Sequence, residues 1–363
     1  MNILVTSIGS LLGQNILDAM ESRKDTIWLI GADNSCMNPR VFRSDILYRI
    51  PPTDDENVFF NRIIEIIDLE KPDIILAGRD HDAVLLSRLK EKYPEYSRII
   101  PGGCSQAAAL MQDKCKSHEF CVQNGIPYAN TLSKKNSEKE IVSFCEHHGF
   151  PLVAKQATGF GSIGVCFIES VDQCMKMIDA GYIVQEYLDP LDDIQEYFKV
   201  YRNAMPLFFH VPESRQYAVQ VIIGPDGSFS PVFTSVNRMV MGRCEYSKRI
   251  DNGELEQLGL QCAEKFADSG WYGPLNIQCK PDRHKIWKVN EFNPRMSGST
   301  SARLRMGFDE IGLIVNTFRP DIPFPNLSIE PFPEGHVVRT LTDIFVPDSY
   351  IDTFNKNGIW KKS

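Results

Sequence analysis

The most informative part of the sequence is a strand pattern that ends in polar side chains. Residues 287–295 read Trp-Lys-Val-Asn-Glu-Phe-Asn-Pro-Arg, and the proline stops the strand. Glu291 and Asn293 are two residues apart, so on a strand their side chains point to the same face. A carboxylate and a carboxamide beside the guanidinium of Arg295 suit a magnesium ion that bridges phosphate oxygens. The alternative is a polar strand end with a surface arginine.

Gln278 is a candidate third member of this group. Residues 275–280 alternate between apolar and polar types, as a half-buried strand does. A symmetric hairpin centred on residues 282–283 places Glu291 opposite Pro274 instead. A site that Gln278 shares with Glu291 and Asn293 therefore requires a shifted or bulged register.

A lysine followed by a glycine-rich loop is the second candidate. Lys155 ends an apolar strand pattern, and residues 156–164 contain three glycines. Glycine lets backbone N–H groups approach phosphate oxygens, and lysine adds a point charge. The loop is not a P-loop, because no Gly-Lys-Ser/Thr ends it. A glycine hairpin with a solvated lysine is the alternative, but Phe160 in the loop favours closure over a ligand.

Two shorter segments carry weaker signals. Residues 183–188 form an apolar strand pattern containing Glu186, whose carboxylate suits either the exocyclic amine of adenine or a strand-end salt bridge. Asp113 and Lys114 begin a predicted helix, for which a solvated helix start is the default interpretation. Their position some forty residues before Lys155 is what makes them relevant.

The N-terminal segment only partly matches a dinucleotide-binding loop. The fingerprint requires Gly-x-Gly-x-x-Gly, whereas Gly9 and Gly13 are present at a different spacing. Asp33 ends the second strand pattern, where it suits a ribose. A tight turn with close helix packing is the favoured interpretation. Residues 78–82, Gly-Arg-Asp-His-Asp, hold a substrate or cap the following helix.

The elements that must position these residues alternate between strand and helix over residues 1–105. The predicted strands are 3–6, 27–31, 73–77 and 99–100, and the predicted helices are 11–22, 58–69 and 83–92. This rhythm indicates an open parallel sheet with helices on both faces. The carboxyl ends of its strands form a natural ligand crevice.

The rest of the chain divides into three parts. A helical connector (106–130) leads into a small α/β unit with helices 138–148 and 171–179 and strands 152–156, 164–168 and 182–187. Residues 188–320 are richer in strands, at 217–223, 229–235, 275–280 and 285–292, with a helix at 254–268. The proline-rich tail from 320 is expected to be extended, with a short strand or two.

Composition excludes several classes of protein. The chain has 363 residues, a formal net charge of -8 and a pI near 5.5, which argues against a nucleic-acid surface. No run of 18 apolar residues and no basic segment before an apolar core occurs, so we expect neither a membrane span nor a signal peptide. The ten cysteines are scattered and no Cys-x-x-Cys occurs, which favours reduced thiols in the cytoplasm and no zinc site.

Taken in order, these segments resemble the ATP-grasp superfamily, and most of all the carbamoyl-phosphate synthase large-subunit type. The resemblance covers residues 1–320 and rests on 113–114, 151–155, 159–164, 185–188, 276–278 and 290–295 together. It implies a Rossmann-like pre-ATP-grasp domain (1–105) and an ATP-grasp fold of α/β and α+β architecture. The latter comprises a small subdomain with the connector (106–190) and a large subdomain (191–320). A C-terminal extension (321–363) follows.

The resemblance also assigns roles to residues. Contacts to the nucleotide are expected from Lys114, Lys155, Gly159, Gly161, Ser162, Gln185, Glu186 and Leu188. Magnesium, or manganese, is expected on Gln278, Glu291 and Asn293. Arg295 is expected to stabilise the transferring phosphoryl group, and Arg238 and Lys248 to lie on the substrate side of the cleft. Gln216 stands where the family has a ribose-binding glutamate, and the segment 189–215 is longer than in the family.

The implied activity is that of an ATP- and Mg²⁺-dependent ligase. ATP activates a small-molecule carboxylate as an acylphosphate, which an amine or thiol then attacks. A small-molecule kinase and a catalytically degenerate ATP-binding module are the alternatives, and a nicotinamide oxidoreductase is a weaker one. The chain lacks the second synthetase half and the allosteric domain of carbamoyl-phosphate synthase, so that reaction is not expected. A homodimer is plausible by analogy.

Overall fold

The computed structural model describes residues 1–53, 55–159, 163–189, 194, 198–199, 215–240, 243–340 and 342–362. Within these segments the strands form three sheets, of five, four and six strands. No helix in the described part is both long and apolar enough to cross a membrane. All ten cysteines lie in described segments, and each is a free thiol.

Four of the five strands of the first sheet are parallel to one another, as the sequence predicts. These four strands are β1 (Asn2–Thr6), β2 (Trp28–Asp33), β3 (Ile46–Arg49) and β4 (Ile74–Leu76), in the order β3-β2-β1-β4. Helix α1 (Leu11–Met20) connects β1 to β2, helix α2 (Glu56–Glu70) connects β3 to β4, and helix α3 (Asp80–Lys92) follows β4. The order places the carboxyl ends of β1 and β4 side by side, so the loops after them share one edge.

Two details of the first sheet differ from the prediction. β3 was missed, because its four residues are too few to show a periodicity. The predicted strand at 99–100 is wrong: the carbonyl of Ile99 accepts one backbone bond from Ile75 at 2.7 Å, but no ladder forms there.

The second sheet is small and antiparallel. Helices α4 (Ser105–Gln112) and α5 (Lys114–Asn124) lead into β5 (Thr131–Leu132). The other elements are α6 (Glu138–His148), β6 (Leu152–Lys155), β7 (Cys166–Ile168), α7 (Val171–Asp179) and β8 (Ile183–Glu186). The order of strands in the sheet is β5-β8-β6-β7. α6 begins at a capping box in which Ser137 and Glu140 satisfy each other's backbone N–H groups.

The third sheet is antiparallel. One of its faces meets the second sheet, and the space between these two sheets is called the cleft. Its strands are β9 (Gln216–Ile223), β10 (Phe233–Val240), β11 (Arg243–Arg249), β12 (Gly273–Pro281), β13 (Trp287–Asn293) and β14 (Val337–Val338), in the order β13-β12-β9-β10-β11-β14. Helix α8 (Gly253–Asp268) packs on one face against Val219 and Ile277. The alternating residues, such as Ala218 and Gln278, point to the opposite face.

The C-terminal segment returns to the first sheet. Helices α9 (Thr300–Arg305) and α10 (Glu310–Phe318) follow β13, and helix α11 (Asp348–Asn357) leads into β15 (Ile359–Lys361), which pairs antiparallel with β3. The predicted short strands of the tail are thus confirmed, whereas α11 was not predicted. Trp360 on β15 is buried, and its ring meets that of Phe42 edge-on at a centroid distance of 5.1 Å.

This packing predicts the effect of removing one side chain from the tail. Trp360→Ala should lower the free energy of unfolding by about 3–5 kcal/mol, because it leaves a cavity beside Phe42. Urea denaturation followed by circular dichroism measures the change. Phe345→Ala is the matched control, since Phe345 is 91 % exposed and should cost little. Equal stabilities of the two variants would contradict the docking of β15 described here.

Candidate active site in the cleft between the sheets

A β-bulge in the hairpin of β12 and β13 sets the geometry of the site. Gln278 pairs with Glu291 and Cys279 pairs with Val289, so Asn290 is an extra residue on β13. Across a bulge of this kind the side-chain alternation of the bulged strand is reset. Gln278 and Glu291 are therefore direct cross-strand neighbours on one face of the sheet.

The turn of this hairpin differs from the prediction. The ladder ends at the pair Pro281 and Trp287, which centres the hairpin on His284. A symmetric hairpin centred on residues 282–283 is therefore wrong. The chain adopts a shifted and bulged register, as a site shared by Gln278, Glu291 and Asn293 requires.

Three polar side chains lie together on this face. Asn293 Nδ2 donates to Glu291 Oε1 at 3.0 Å, and Gln278 Nε2 donates to Asn293 Oδ1 at 3.4 Å. One carboxylate and two carboxamides offer the hard oxygen ligands that magnesium prefers. No group of three or more His, Cys, Asp or Glu side chains that could hold a metal occurs in the described segments. The residues thus fit a magnesium ion that draws part of its coordination from phosphate and water.

Lys114 is held against this group by the start of α5. Asp113 caps the helix by accepting from its first backbone N–H groups. Lys114 is 4 % exposed, and its Nζ donates to the carbonyl of Gly159 at 2.9 Å. The same Nζ lies 3.8 Å from Glu291 Oε2. The first glycine of the predicted phosphate loop is thereby joined to the third sheet.

Lys155 reaches the same place from the end of β6. Its Nζ donates to the carbonyl oxygen of the bulged Asn290 at 3.3 Å. Burial lowers the pKa of Lys155 to about 7, against the opposing charge of Glu291, and Lys114 adds to the effect of burial. Burial alone would raise the pKa of Glu291, but Lys114, Lys155 and Asn293 lower it below its usual value. Glu291 is therefore ionised between two lysines.

Arg295 projects beyond the end of β13 toward the first sheet. One of its terminal nitrogens donates to Asp80 Oδ2 at 2.8 Å, and the other donates to the carbonyl of Met296 at 2.9 Å. Asp80 begins α3 at the carboxyl edge of the first sheet. Both side chains keep 16 % of their surface exposed. Asp80 therefore fixes the guanidinium at the mouth of the cleft without closing it off.

Glu186 is engaged in a cluster of charges at the other end of the cleft. Its carboxylate accepts from Lys288 Nζ at 2.8 and 3.1 Å and from the backbone N–H of Asn130 at 2.8 Å. Lys288 Nζ also lies 3.2 Å from Asp282, and His148 Nδ1 lies 3.5 Å from Glu186. Burial lowers the pKa of Lys288, but the carboxylates of Glu186 and Asp282 raise it by more, so the pKa lies above its usual value. This cluster joins the second sheet to the hairpin of the third.

Comparison with known proteins concerns the fold that carries these residues. Residues 111–204 match the family model of the RimK-like ATP-grasp domain. N5-carboxyaminoimidazole synthetase from Staphylococcus aureus, solved with ADP, superimposes with a TM-score of 0.61 at 18 % identity, covering 93 % of this chain and 79 % of that one. Biotin carboxylase from Campylobacter jejuni gives 0.62 at 15 % identity, with coverage of 92 % and 74 %. The chain has the ATP-grasp fold. This confirms the fold class that the motifs predict.

A further solved structure extends the comparison. An L-amino acid ligase from Bacillus licheniformis superimposes on the chain with a TM-score of 0.60 at 12 % identity, covering 88 % of this chain and 74 % of that one. No curated protein matches the chain by sequence. The likeness to these structures therefore concerns the fold, and the chemistry must be argued from the residues.

The predicted adenine contact of the Glu186 carboxylate requires correction. The carboxylate of Glu186 is used by Lys288 and Asn130, so the strand-end salt bridge is the interpretation that the structure supports. Leu188 is buried in the hydrophobic core that includes Cys279. Gln185 is buried on the cleft side of β8, where its Nε2 donates to Thr131 Oγ1 at 2.9 Å. Gly161 and Ser162 lie outside the described residues.

Arg238 and Lys248 are not brought to the site. Lys248 pairs with Val236, which pairs with Tyr217, and these residues share the face of Cys279, opposite to Gln278. Arg238 follows Asn237, whose side chain lies on the Gln278 face, so the side chain of Arg238 points to the opposite face. The side chains of Arg238 and Lys248 are both exposed. The prediction that they line the substrate side of the cleft is therefore wrong. Alternation along β10 and β11 directs Ser235, Asn237 and Ser247 to that side instead.

The two remaining sequence candidates also have defined positions. Gln216 lies on the Gln278 face, with its Nε2 donating to the carbonyls of Tyr217 at 3.1 Å and Cys279 at 3.4 Å. Asp33 Oδ2 accepts from the backbone N–H of Gly9 at 2.7 Å. A Cβ at Gly9 would lie 2.9 Å from Val41, so this glycine packs closely within its own domain. The tight-turn interpretation of the first loop is the correct one.

Three residues of the site were not predicted from the sequence. Asn290 gave no sign of a bulge, because a bulge changes pairing and not composition. Lys288 was counted only as part of a strand, and Tyr128 as part of a connector. The hydroxyl of Tyr128 donates to the carbonyl of Asn290 at 3.3 Å. A signal for Lys288 did exist, since a buried glutamate such as Glu186 requires a cation.

The lowered pKa of Lys155 predicts proton uptake on nucleotide binding. Above pH 7 the free amine is largely neutral, and anionic phosphates favour the charged form, so one proton should be taken up per nucleotide. Affinity for MgADP should fall by up to about tenfold per pH unit above pH 7. Calorimetry in two buffers of different ionisation enthalpy measures the uptake. Lys155→Arg, which stays charged, should abolish it, and persistence of the uptake in that variant would refute the assignment.

The Glu186 cluster predicts a large loss of stability from a single substitution. Lys288→Met should lower the free energy of unfolding by about 3–5 kcal/mol, because Glu186 and Asp282 are each left buried without their cation. Adding Glu186→Gln should restore part of the loss. Lys176→Met, which removes an exposed i,i+4 pair with Asp172, is the control and should have little effect. Similar losses for Lys288→Met and the control would show that the cluster is solvated.

Proposed function

We propose that the chain is an ATP- and magnesium-dependent ligase of the carboxylate–amine type. It activates a small-molecule carboxylate as an acylphosphate, which an amine, or a thiol, then attacks. The observation that carries this proposal is the cluster of Glu291, Lys114 and Lys155 at the bulge of β13, with Gln278 and Asn293 beside it. It combines a site for polyphosphate with oxygen ligands for a hard cation.

The side chains divide the work among binding, charge neutralisation and orientation. Lys114 and Lys155 bind phosphate oxygens, and their positions are fixed by backbone carbonyls at 2.9 and 3.3 Å. Magnesium, held by Glu291, Gln278 and Asn293, would supply neutralisation of phosphate charge. Arg295, oriented by Asp80, stabilises the negative charge that develops on the transferred phosphoryl group.

The reaction balances without a covalent intermediate on the protein. A carboxylate oxygen of the substrate attacks the γ-phosphorus, the bond to the β-phosphate oxygen breaks, and ADP leaves. The amine then attacks the acyl carbon, phosphate leaves, and the amine loses a proton to form the amide. Rate enhancement comes from positioning and charge stabilisation. The loop of residues 159–164 is proposed to shield the acylphosphate from water.

The comparisons support ATP as the nucleotide. The synthetase from S. aureus is described as complexed with ADP, and the biotin carboxylase from C. jejuni as a β,γ-ATP complex. A synthetase, an amino-acid ligase and a carboxylase share the fold of this chain. Their substrates differ, so the acid and the nucleophile of this protein must be found by experiment.

We also propose the division of the chain that the resemblance implies. Residues 1–105 form the pre-ATP-grasp domain, 106–190 the small subdomain with its connector, 191–320 the large subdomain and 321–363 an extension. The three sheets support this division, although β15 returns the extension to the first domain. A homodimer acting on small molecules in the cytoplasm remains our expectation.

The proposal predicts loss of turnover when the central carboxylate is removed. ADP release from MgATP is measured over a panel of amino and hydroxy acids, each with and without amine acceptors. Glu291→Gln should lower the rate with the best acid by about 100-fold or more, because the lysines and the cation lose their shared counter-charge. Glu254→Gln, on the exposed first turn of α8, is the control and should retain the wild-type rate.

Other outcomes of this screen would point to other functions. Wild-type ADP release by Glu291→Gln would overturn the assignment of the site. A stable phosphorylated product formed without an amine would indicate a kinase. Tight ATP binding with no acid-dependent ADP release would indicate a nucleotide-binding module.

A further inference from the structure

A short segment before β5 joins the second and third sheets. β13 is an edge strand, and the connector pairs with it: Val289 donates to Pro127 at 2.9 Å, and Ala129 donates to Val289 at 2.7 Å. On its other side the connector exchanges bonds with Glu186, through the backbone N–H and the carbonyl of Asn130. The segment 127–130 therefore has a fixed position between the two sheets that enclose the cleft.

Tyr128 lies in the middle of this segment and contacts the bulge. Its side chain is 5 % exposed, and its hydroxyl donates to the carbonyl of Asn290 at 3.3 Å. Lys155 Nζ donates to the same oxygen, also at 3.3 Å. A carbonyl oxygen has two lone pairs, so it accommodates both donors. Burial raises the pKa of Tyr128, with a further contribution from Glu291, so the phenol remains a donor at neutral pH.

The shared carbonyl belongs to the peptide that links Asn290 to Glu291. At a bulge the extra residue is left out of the ladder, so cross-strand pairing does not hold the carbonyl of Asn290. The side-chain Oδ1 of Asn290 is buried and has no hydrogen-bond partner among the described residues, so it does not fix the orientation either. The carbonyl end of the peptide is held by its two donors, Tyr128 and Lys155.

We propose that Tyr128 is a positioning residue for the nucleotide site: its hydroxyl orients the 290–291 peptide and thereby places both Lys155 and Glu291. This inference rests on the proposed function of the cleft. The lysine is positioned through the carbonyl oxygen that it shares with Tyr128. The carboxylate is positioned through the Cα at the other end of the same peptide. One neutral hydroxyl thus acts on the phosphate-binding cation and on the proposed metal ligand together.

The alternative is that Tyr128 only fills the core. Its ring lies 6.0 Å from that of Phe292 and 5.9 Å from that of His118. Tyr128→Phe keeps these ring contacts and removes only the hydroxyl, so it separates the two roles. Tyr48→Phe is the matched control, because it also removes a hydroxyl bond from a buried tyrosine, here to Glu70 on the outer part of the first domain.

The test is a calorimetric titration of each variant with ADP, once with Mg²⁺ and once with EDTA. Tyr128→Phe should bind MgADP roughly three- to tenfold more weakly than the wild type, as expected for the loss of one hydrogen bond that orients two contacts. The loss should be smaller with metal-free ADP, because only the Lys155 contact then counts. Tyr48→Phe should bind both forms as the wild type does, and thermal unfolding checks that both variants fold.

Each other outcome overturns a defined part of the account. MgADP binding by Tyr128→Phe within twofold of the wild type overturns the positioning role. Equal weakening by Tyr128→Phe and Tyr48→Phe also overturns it, because a general loss of stability then explains the result. Equal losses with and without Mg²⁺ overturn the Glu291 half of the inference. Failure of the wild type to bind MgADP overturns the proposed function itself, and this inference with it.

Discussion

One extra residue in β13 determines the arrangement of the whole site. Without the bulge at Asn290, side-chain alternation would place Lys288 and Glu291 on opposite faces of the sheet. With it, both point into the cleft, while Val289 between them faces the core with Cys279. A single strand can therefore supply the cation that neutralises Glu186 and the carboxylate that sits between two lysines. The bulge also frees the carbonyl of Asn290, which Lys155 then uses.

Contacts between charged side chains and their partners hold the three sheets in register around the cleft. The second sheet is joined to the third through Lys155 on Asn290 and through Glu186 on Lys288. The first sheet is joined to the third through Asp80 on Arg295. Buried charges are stable only when paired or hydrogen bonded, so each of these contacts restricts how the sheets pack. The contacts at the centre of the cleft place the amines of Lys114 and Lys155 around one carboxylate. The group is therefore net positive when Lys155 is protonated, and a phosphate anion would balance that charge.

Much of the fold could be predicted from local sequence patterns, because helices and strands each have a characteristic spacing of apolar residues. The parallel strands of the first sheet, the capped start of α5 at Asp113 and the strand that carries Lys155 are examples. The pairing of strands was harder to predict from the sequence. The difference in the hairpin centre came from assuming symmetry around residues 282–283, and apolar–polar alternation along the strands does not specify the turn geometry. Arg238 and Lys248 were misplaced for a related reason, since a motif match does not specify which face a side chain takes.

That Glu291, Asn293 and Lys155 lie close together was expected from the motifs and the family resemblance combined. A residue that acts through another residue, such as Tyr128, could not be predicted from the sequence. Nor could the salt bridge between Glu186 and Lys288, because the two residues are far apart in the chain. Such residues become visible only when distances between separate segments are known. The comparison with solved structures supplied the fold but, at 12–18 % identity, could not supply these contacts.

A crystal structure of the protein with Mg²⁺ and a non-hydrolysable ATP analogue would show whether this cluster binds both the metal and the phosphates. We expect a magnesium ion about 2.1 Å from an oxygen of Glu291, with the ammonium groups of Lys114 and Lys155 on oxygens of the phosphate chain. A nucleotide bound elsewhere, or a phosphate chain that leaves Glu291 without a cation, would contradict it.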